Sequence, residues 1–158
     1  MKMGWNEETF TITELDPLTA ELLRRIPGCA STEDETTRRR LFPTPTGGNE
    51  EEADAEWREN VEPELQELFA TNVETVEADM KMMEETEEGM QLVVPINHAP
   101  AWIHTINQAR LALGARHNIT EENMNGHAMP KDPQDAFAVF QVEFYGVLLS
   151  FLVYHAEW

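Results

Sequence analysis

Phe137-Ala138-Val139-Phe140-Gln141-Val142-Glu143-Phe144-Tyr145-Gly146-Val147-Leu148-Leu149-Ser150-Phe151-Leu152-Val153-Tyr154 is the most apolar stretch of the sequence, and the fold turns on how it is read. Its length approaches that of a membrane span. Gln141, Glu143, Gly146 and Ser150 interrupt it, however, and Asp132, Asp135 and Glu157 flank it where Lys/Arg and aromatic anchors would be expected. Because charge inside a bilayer is costly, the stretch reads as the helix of a protein core. Phe137, Phe140, Phe144, Val147, Leu148, Phe151 and Leu152 follow three- and four-residue steps, and Val139, Val142, Leu149 and Val153 fill most of the remaining circumference. A helix apolar almost all round lies centrally in a bundle or against another subunit. Asp132-Pro133 supplies its start, with an N-cap carboxylate and a proline where a missing N–H does no harm.

Working back toward the N-terminus, residues 118–131 read as a flexible loop, with room for one helical turn after Thr120. Before it, Trp102, Ile103, Ile106, Ala109, Leu111 and Leu113 define another helix, opened by Asn97 and Pro100, with Gly114 near its end or permitting a close helix approach. Gln91 to Ile96 reads as a short strand. Between Glu50 and Glu88 there are 16 Asp/Glu against Arg58 and Lys81, a balance of 2 − 16 = −14. Within that run Leu65, Leu68, Phe69, Val73, Val76, Met80 and Met83 mark one face of a long helix, started near Asn60 and Pro63 after a shorter helix carrying Trp57. Residues 29–49, with Arg38-Arg39-Arg40 and Pro43-Thr44-Pro45-Thr46-Gly47-Gly48, read as a flexible loop. At the start, Phe10 and Ile12 alternate with threonines as in a half-buried strand. Asp16-Pro17 then opens a helix through Leu18, Leu22, Leu23 and Ile26, which Pro27-Gly28 ends. The expectation is one mainly α-helical domain over 1–158, a bundle of about four main helices with a small two-stranded β element.

With 158 residues the chain can bury roughly 70% of its unfolded surface. Thirty Asp+Glu against 11 Lys+Arg give a formal charge of −19, which argues against nucleic-acid or anionic-membrane binding. Three arginines in a row do not make a basic face, especially beside Glu33-Asp34-Glu35. The single cysteine, Cys29, excludes an internal disulfide and any multi-cysteine metal site. The first eight residues lack the basic region and long apolar run of a signal peptide, so a cytoplasmic setting is expected.

Recognisable chemistry is sparse. The positions three before His98, His104, His117, His127 and His155 are Pro95, Ala101, Gly114, Met124 and Leu152, so the Glu-x-x-His pairs of carboxylate-bridged metal bundles are missing. The sequence contains no His-Glu-x-x-His, no phosphate loop and no Gly-x-Ser-x-Gly elbow. Catalytic residues, metal ligands and cofactors are therefore not expected. Asn107 and Arg110 are neighbours on one helical face among apolar residues. A half-buried arginine needs an acidic partner, for which Glu143 and Glu62 are candidates. Such a cluster either fixes helix register or, with His104, holds a small anionic ligand.

At these residues the sequence resembles a bacterial family known only as a domain of unknown function, number two thousand and seventeen, best known from actinobacteria. Ala101-Trp102-Ile103, Asn107 and Arg110-Leu111-Ala112-Leu113-Gly114 resemble its signature helix, in which Trp102, Leu111, Leu113 and Gly114 stand out. Val139-Phe140, Glu143, Leu148 and Leu152 resemble its C-terminal helix, Glu62-Pro63-Glu64 the opening of its middle helix, and Leu23-Arg24-Arg25 its first. The resemblance implies no established activity. It does imply a gene neighbourhood shared with the ClpS adaptor of Clp-type proteolysis. This chain departs from many members in its acidity and its long loop between first and second helices. Together, residues and resemblance lead us to expect a non-catalytic interaction or regulatory protein. A homodimer through the last helix and a protein partner for the acidic helix are the associations expected. The alternative is a small-molecule-binding protein or enzyme with an anionic ligand near Arg110.

Overall fold

Alternation of apolar and threonine side chains makes Thr9–Leu15 (β2) an extended segment, and it pairs on both sides. The computed structural model describes residues 1–156, and Glu157 lies outside them. Lys2–Trp5 (β1) runs antiparallel to β2 on one edge, Gly89–Pro95 (β4) on the other, and Glu84–Thr86 (β3) forms a hairpin with β4. The sheet therefore has four antiparallel strands in the order β1-β2-β4-β3. This corrects the expectation of a helical bundle with two strands: the domain is a mixed α/β fold with an antiparallel sheet and eight α-helices among the described residues.

β2 carries a bulge. Ile12 faces Leu92 and Leu15 faces Met90, so three steps on β2 match two on β4, and Glu14 takes up the extra residue at φ 52°. Alternation alone would turn Ile12 and Leu15 to opposite faces. The extra residue restores their parity, and Phe10, Ile12 and Leu15 all reach the core. Opposite the bulge Gly89 sits at φ 127°, where an added Cβ would lie 2.7 Å from the Leu15 carbonyl oxygen. Only glycine fits that close approach.

The helices cover the inner face of the sheet. Asp16 caps Pro17–Arg24 (α1), accepting from the Thr19 N–H at 2.7 Å. Pro27 does not stop the chain's helical course but lies inside a further turn, Ile26–Cys29 (α2), reached after Arg25. Glu35–Leu41 (α3) occupies part of the stretch expected as loop, capped by Asp34 through bonds to Thr37. Glu51–Asn60 (α4) and Glu62–Met80 (α5) follow. α5 stops at Met80, and Met83, expected on its stripe, instead precedes β3. A 3₁₀ turn over Ile96–His98 leads into Ala99–Arg116 (α6), then come Glu121–Met124 (α7), capped by Thr120, and Pro133–His155 (α8), capped by Asp132.

α6 is the middle of the helical layer, packed against α5 on one flank and α8 on the other. Its Trp102 is fully buried and meets Phe10 of β2 edge-on, with ring centroids 5.6 Å apart. Trp5 stacks on Phe10 and on His155 of α8, tying the edge strand to the end of the last helix. α8 contributes Ala138, Val142, Tyr145, Leu148 and Leu152 to the core. Its other side is exposed, so of the two settings expected for this helix the central one does not hold within the chain.

Candidate functional site

Three of the sixteen carboxylates between Glu50 and Glu88 are buried, Asp54, Glu62 and Asp79, and each has a different setting. Asp79 sits in the last turn of α5 on the same side as Val76. There it accepts from the Trp102 indole N–H at 2.8 Å and has the His98 Nδ1 3.0 Å from both its oxygens. A carboxylate only accepts, so the proton between them lies on Nδ1 and the imidazole is oriented by this contact. One side chain thus joins α5, the 3₁₀ turn and α6. A His–Asp pair has the makings of a general base, but no hydroxyl or thiol among the described residues bonds the other nitrogen of His98, and the arrangement works as a tie between elements.

Asp54 folds the Thr46-Gly47-Gly48 turn onto α4, accepting from the Thr46 N–H and hydroxyl and from the Gly48 N–H. Partial burial opposes its ionisation, but these bonds outweigh it and lower its pKa. Glu62 accepts weakly from Arg58 at 3.4 Å, while its Oε1 has no partner among the described residues.

A second polar cluster hangs on Arg116 at the end of α6. Its guanidinium donates to Asp34 at 2.8 Å, to the Cys29 carbonyl at 3.0 Å and to the Ser31 carbonyl at 2.5 Å, clamping the α2–α3 connection. Burial would push the Asp34 carboxyl up, but bonds from Thr37 and Arg116 more than compensate and hold it at about 2. Nearby, Gln141 of α8 donates weakly toward Cys29 and Tyr145, and the Tyr145 hydroxyl donates to the Leu22 carbonyl at 2.7 Å. Burial pushes the Cys29 thiol up, so it is not an activated nucleophile.

The cluster expected around Arg110 is assembled only in part. Asn107 and His104 are exposed on α6, and Arg110 is half-buried. Its Nε donates to the Val142 carbonyl at 3.3 Å, and it pairs with neither Glu143, which is exposed on α8, nor Glu62, which Arg58 takes. The close helix approach foreseen at Gly114 occurs at Gly146, where an added Cβ would lie 3.4 Å from the Arg110 guanidinium; beside Gly114 there is open space. Within the signature helix Trp102 and Leu113 are buried, while Leu111 and Gly114 are half-buried. Two adjoining depressions of about 490 Å³ each lie beside the α6–α8 contact and share Arg110 and Met124. Asn107 and Asn125 line the first, Glu143 and Ser150 the second.

Beyond the second depression runs the uncovered side of α8. Phe140, Val147 and Tyr154, seven residues apart, are 46%, 55% and 83% exposed, with Val153 beside them at 45%. Half-buried Phe144 and Phe151 adjoin the same strip. By length and composition α8 is apolar enough to cross a membrane, yet a full row of its residues is built into the core. The opposite flank of the layer holds α4, α5 and the β3–β4 hairpin, where thirteen of the sixteen carboxylates are exposed.

A small antiparallel sheet thus lies under helices, with exposed carboxylates on one flank, exposed apolar side chains on the other and the half-buried Arg110 on α6 between α5 and α8. The family model described as Domain of unknown function (DUF2017) matches residues 7–156, and the chain belongs to that family. Comparison with curated proteins finds no match, and neither does comparison with solved structures.

Proposed function

We propose that this chain is a non-catalytic interaction or regulatory protein that engages a protein partner through the outer side of α8. The observation carrying this reading is the uncovered apolar strip Phe140–Val147–Tyr154 on a helix whose other side is locked into the core. Contiguous exposed apolar surface of this kind marks interaction sites, and seven-residue spacing suits helical docking. The acidic pole adds a long-range field that steers encounters. A cytoplasmic setting goes with this reading, and the gene neighbourhood implied by the family makes components of Clp-type proteolysis the first partners to test. The test is affinity capture from native lysate with the wild-type chain and Val147→Asp, at low and high salt, with an adaptor-deletion control. Specific recovery lost in Val147→Asp is the expected outcome. Equal recovery by both proteins overturns the assignment to α8.

A second reading is favoured by Arg110 itself. In a chain of net charge −19 it is half-buried with no carboxylate within ion-pair distance among the described residues, and its guanidinium borders two depressions. A small anion would complete it. Because Arg110 is not part of a buried ion pair, Arg110→Ala should cost less than about 1.5 kcal/mol in urea unfolding. If carboxylate or phosphate probes stabilise the wild type and not the variant, the ligand reading gains. A larger loss of stability without any probe effect makes Arg110 structural.

A further inference from the structure

We infer that the first depression beside Arg110 takes a zwitterion, a free α-amino acid with an apolar side chain, its carboxylate on Arg110 and its ammonium toward Glu121. This rests on the second reading above, in which Arg110 receives an anionic group. The guanidinium is placed but not used up. Its Nε donates to the Val142 carbonyl at 3.3 Å, and the Gly146 backbone lies against it, so that an added Cβ there would stand 3.4 Å from Nη2. Neither terminal nitrogen has a hydrogen-bond partner among the described residues. What is left over is a planar two-pronged donor, the shape that a carboxylate meets with both oxygens.

Charge sets the class of ligand. Glu121 lines the same depression, and no other charged side chain does. Among the described residues Glu121 forms no ion pair, with Arg110 or with any other cation. One cation and one carboxylate therefore face one cavity unpaired, and a ligand that carries both charges satisfies both. The charge of the whole chain favours the same answer: at −19 it repels a simple anion at long range, whereas a zwitterion has no net charge to repel. Glu121 is presented by an ordered turn, since Thr120 and Asn123 cap α7 reciprocally. The rest of the wall is apolar. Leu111, Ile119, Met124 and Val142 offer contact to an aliphatic or aromatic side chain, and about 490 Å³ falls within the roughly 300–1,000 Å³ of small-molecule sites. The second depression joins Arg110 to Glu143 instead and is more open to solvent.

The experiment is an NMR titration of the isotope-labelled full chain at low salt with four probes: L-leucine, isocaproate, which lacks the ammonium, isoamylamine, which lacks the carboxylate, and inorganic phosphate. The expected result is saturable binding of leucine, millimolar or tighter, with shifts gathered on the lining of the first depression. Each truncated probe should bind at least about threefold more weakly. Arg110→Gln should weaken leucine at least about tenfold, and Glu121→Gln at least about threefold. Glu121 is an exposed position, and circular dichroism checks that both variants keep the fold. If isocaproate or phosphate binds as tightly as leucine and Arg110→Gln removes that binding, the anion reading stands and the zwitterion is wrong. If Glu143→Gln weakens leucine and Glu121→Gln does not, the second depression is the site and the assignment falls. Isoamylamine binding as tightly as leucine and indifferent to Arg110→Gln overturns both readings, as does the lack of any saturable shift up to about 20 mM of every probe.

Discussion

Asp79 shows how much a single side chain can hold. It satisfies the buried indole N–H of Trp102 and orients His98, bridging 23 and 19 residues of sequence. Asp79→Ala leaves that N–H unpaired in the core and should cost about 1–3 kcal/mol in urea unfolding. Trp102→Phe in the Asp79→Ala background should cost clearly less than in the wild type, because the donor is no longer there to strand. Equal costs would show that the bond contributes nothing. In the sequence this role was hidden among sixteen carboxylates. The available clue was phase: Asp79 lies three residues after Val76, on the apolar side of α5 where a solvated acid has no place. Arg110 stood out for the converse reason, a cation among apolar neighbours, but its partners depend on the α6–α8 contact, which sequence spacing does not specify.

Asp34 belongs to the same scale. Its folded pKa of about 2 lies below the ordinary 3.8, so its ionised form is favoured by folding. The resulting contribution to stability is fully present above pH 3.8 and is lost as pH falls toward 2. Asp34→Asn should remove that part of the acid dependence, flattening the unfolding midpoint against pH between those limits. An unchanged profile would mean that Arg116 and Thr37 do not hold the carboxylate.

Among the elements, the helix starts at Asp16-Pro17 and Asp132-Pro133 were legible because capping is local chemistry, and β2 and β4 because alternation survives in them. β1 and β3 were not. Lys2–Trp5 contains only four residues and no alternation, and it becomes a strand by pairing with β2. Glu84-Glu85-Thr86 looks like more of the acidic helix, and its strand form is imposed by the hairpin: Gln91 donates to Glu84 at 2.6 Å and the Thr86 hydroxyl to the Gly89 carbonyl at 2.7 Å. Both are charged or short edge strands, the kind that resists further pairing. α3 was missed because its arginines and threonines lack an apolar stripe; Asp34 and Thr37 hold it at the cap. At the hairpin, Gly89→Ala introduces a Cβ 2.7 Å from backbone at φ 127° and should destabilise by about 2 kcal/mol or more. Thermal unfolding within a degree of wild type would show that the bulge has slack.

At the scale of the molecule, charge and apolarity are segregated rather than mixed. The −14 of residues 50–88 is concentrated on one flank, so the folded state carries repulsion that salt relieves. Sodium chloride should therefore raise the melting temperature of the chain. A melting temperature that falls with salt would point to ion pairs as the stronger influence. The expectation of a helical bundle failed at this scale because a sheet is a property of pairing. Two strands were readable, and the edge strands, which complete the surface the helices sit on, were not.

The bulge at Glu14 gives β2 the property of a vernier. One residue that takes no place in the β2–β4 ladder offsets the count, and everything after it is read in the other phase. Leu15 and the Asp16 cap owe their facing to that offset, so the direction in which α1 leaves the sheet is fixed by a residue that contributes no apolar contact. A length change of one at this point is thus not a small edit. It would restore a regular ladder and turn the first helix toward solvent, whereas a change of side chain at Glu14 would leave the count, and the path of the chain, as they are.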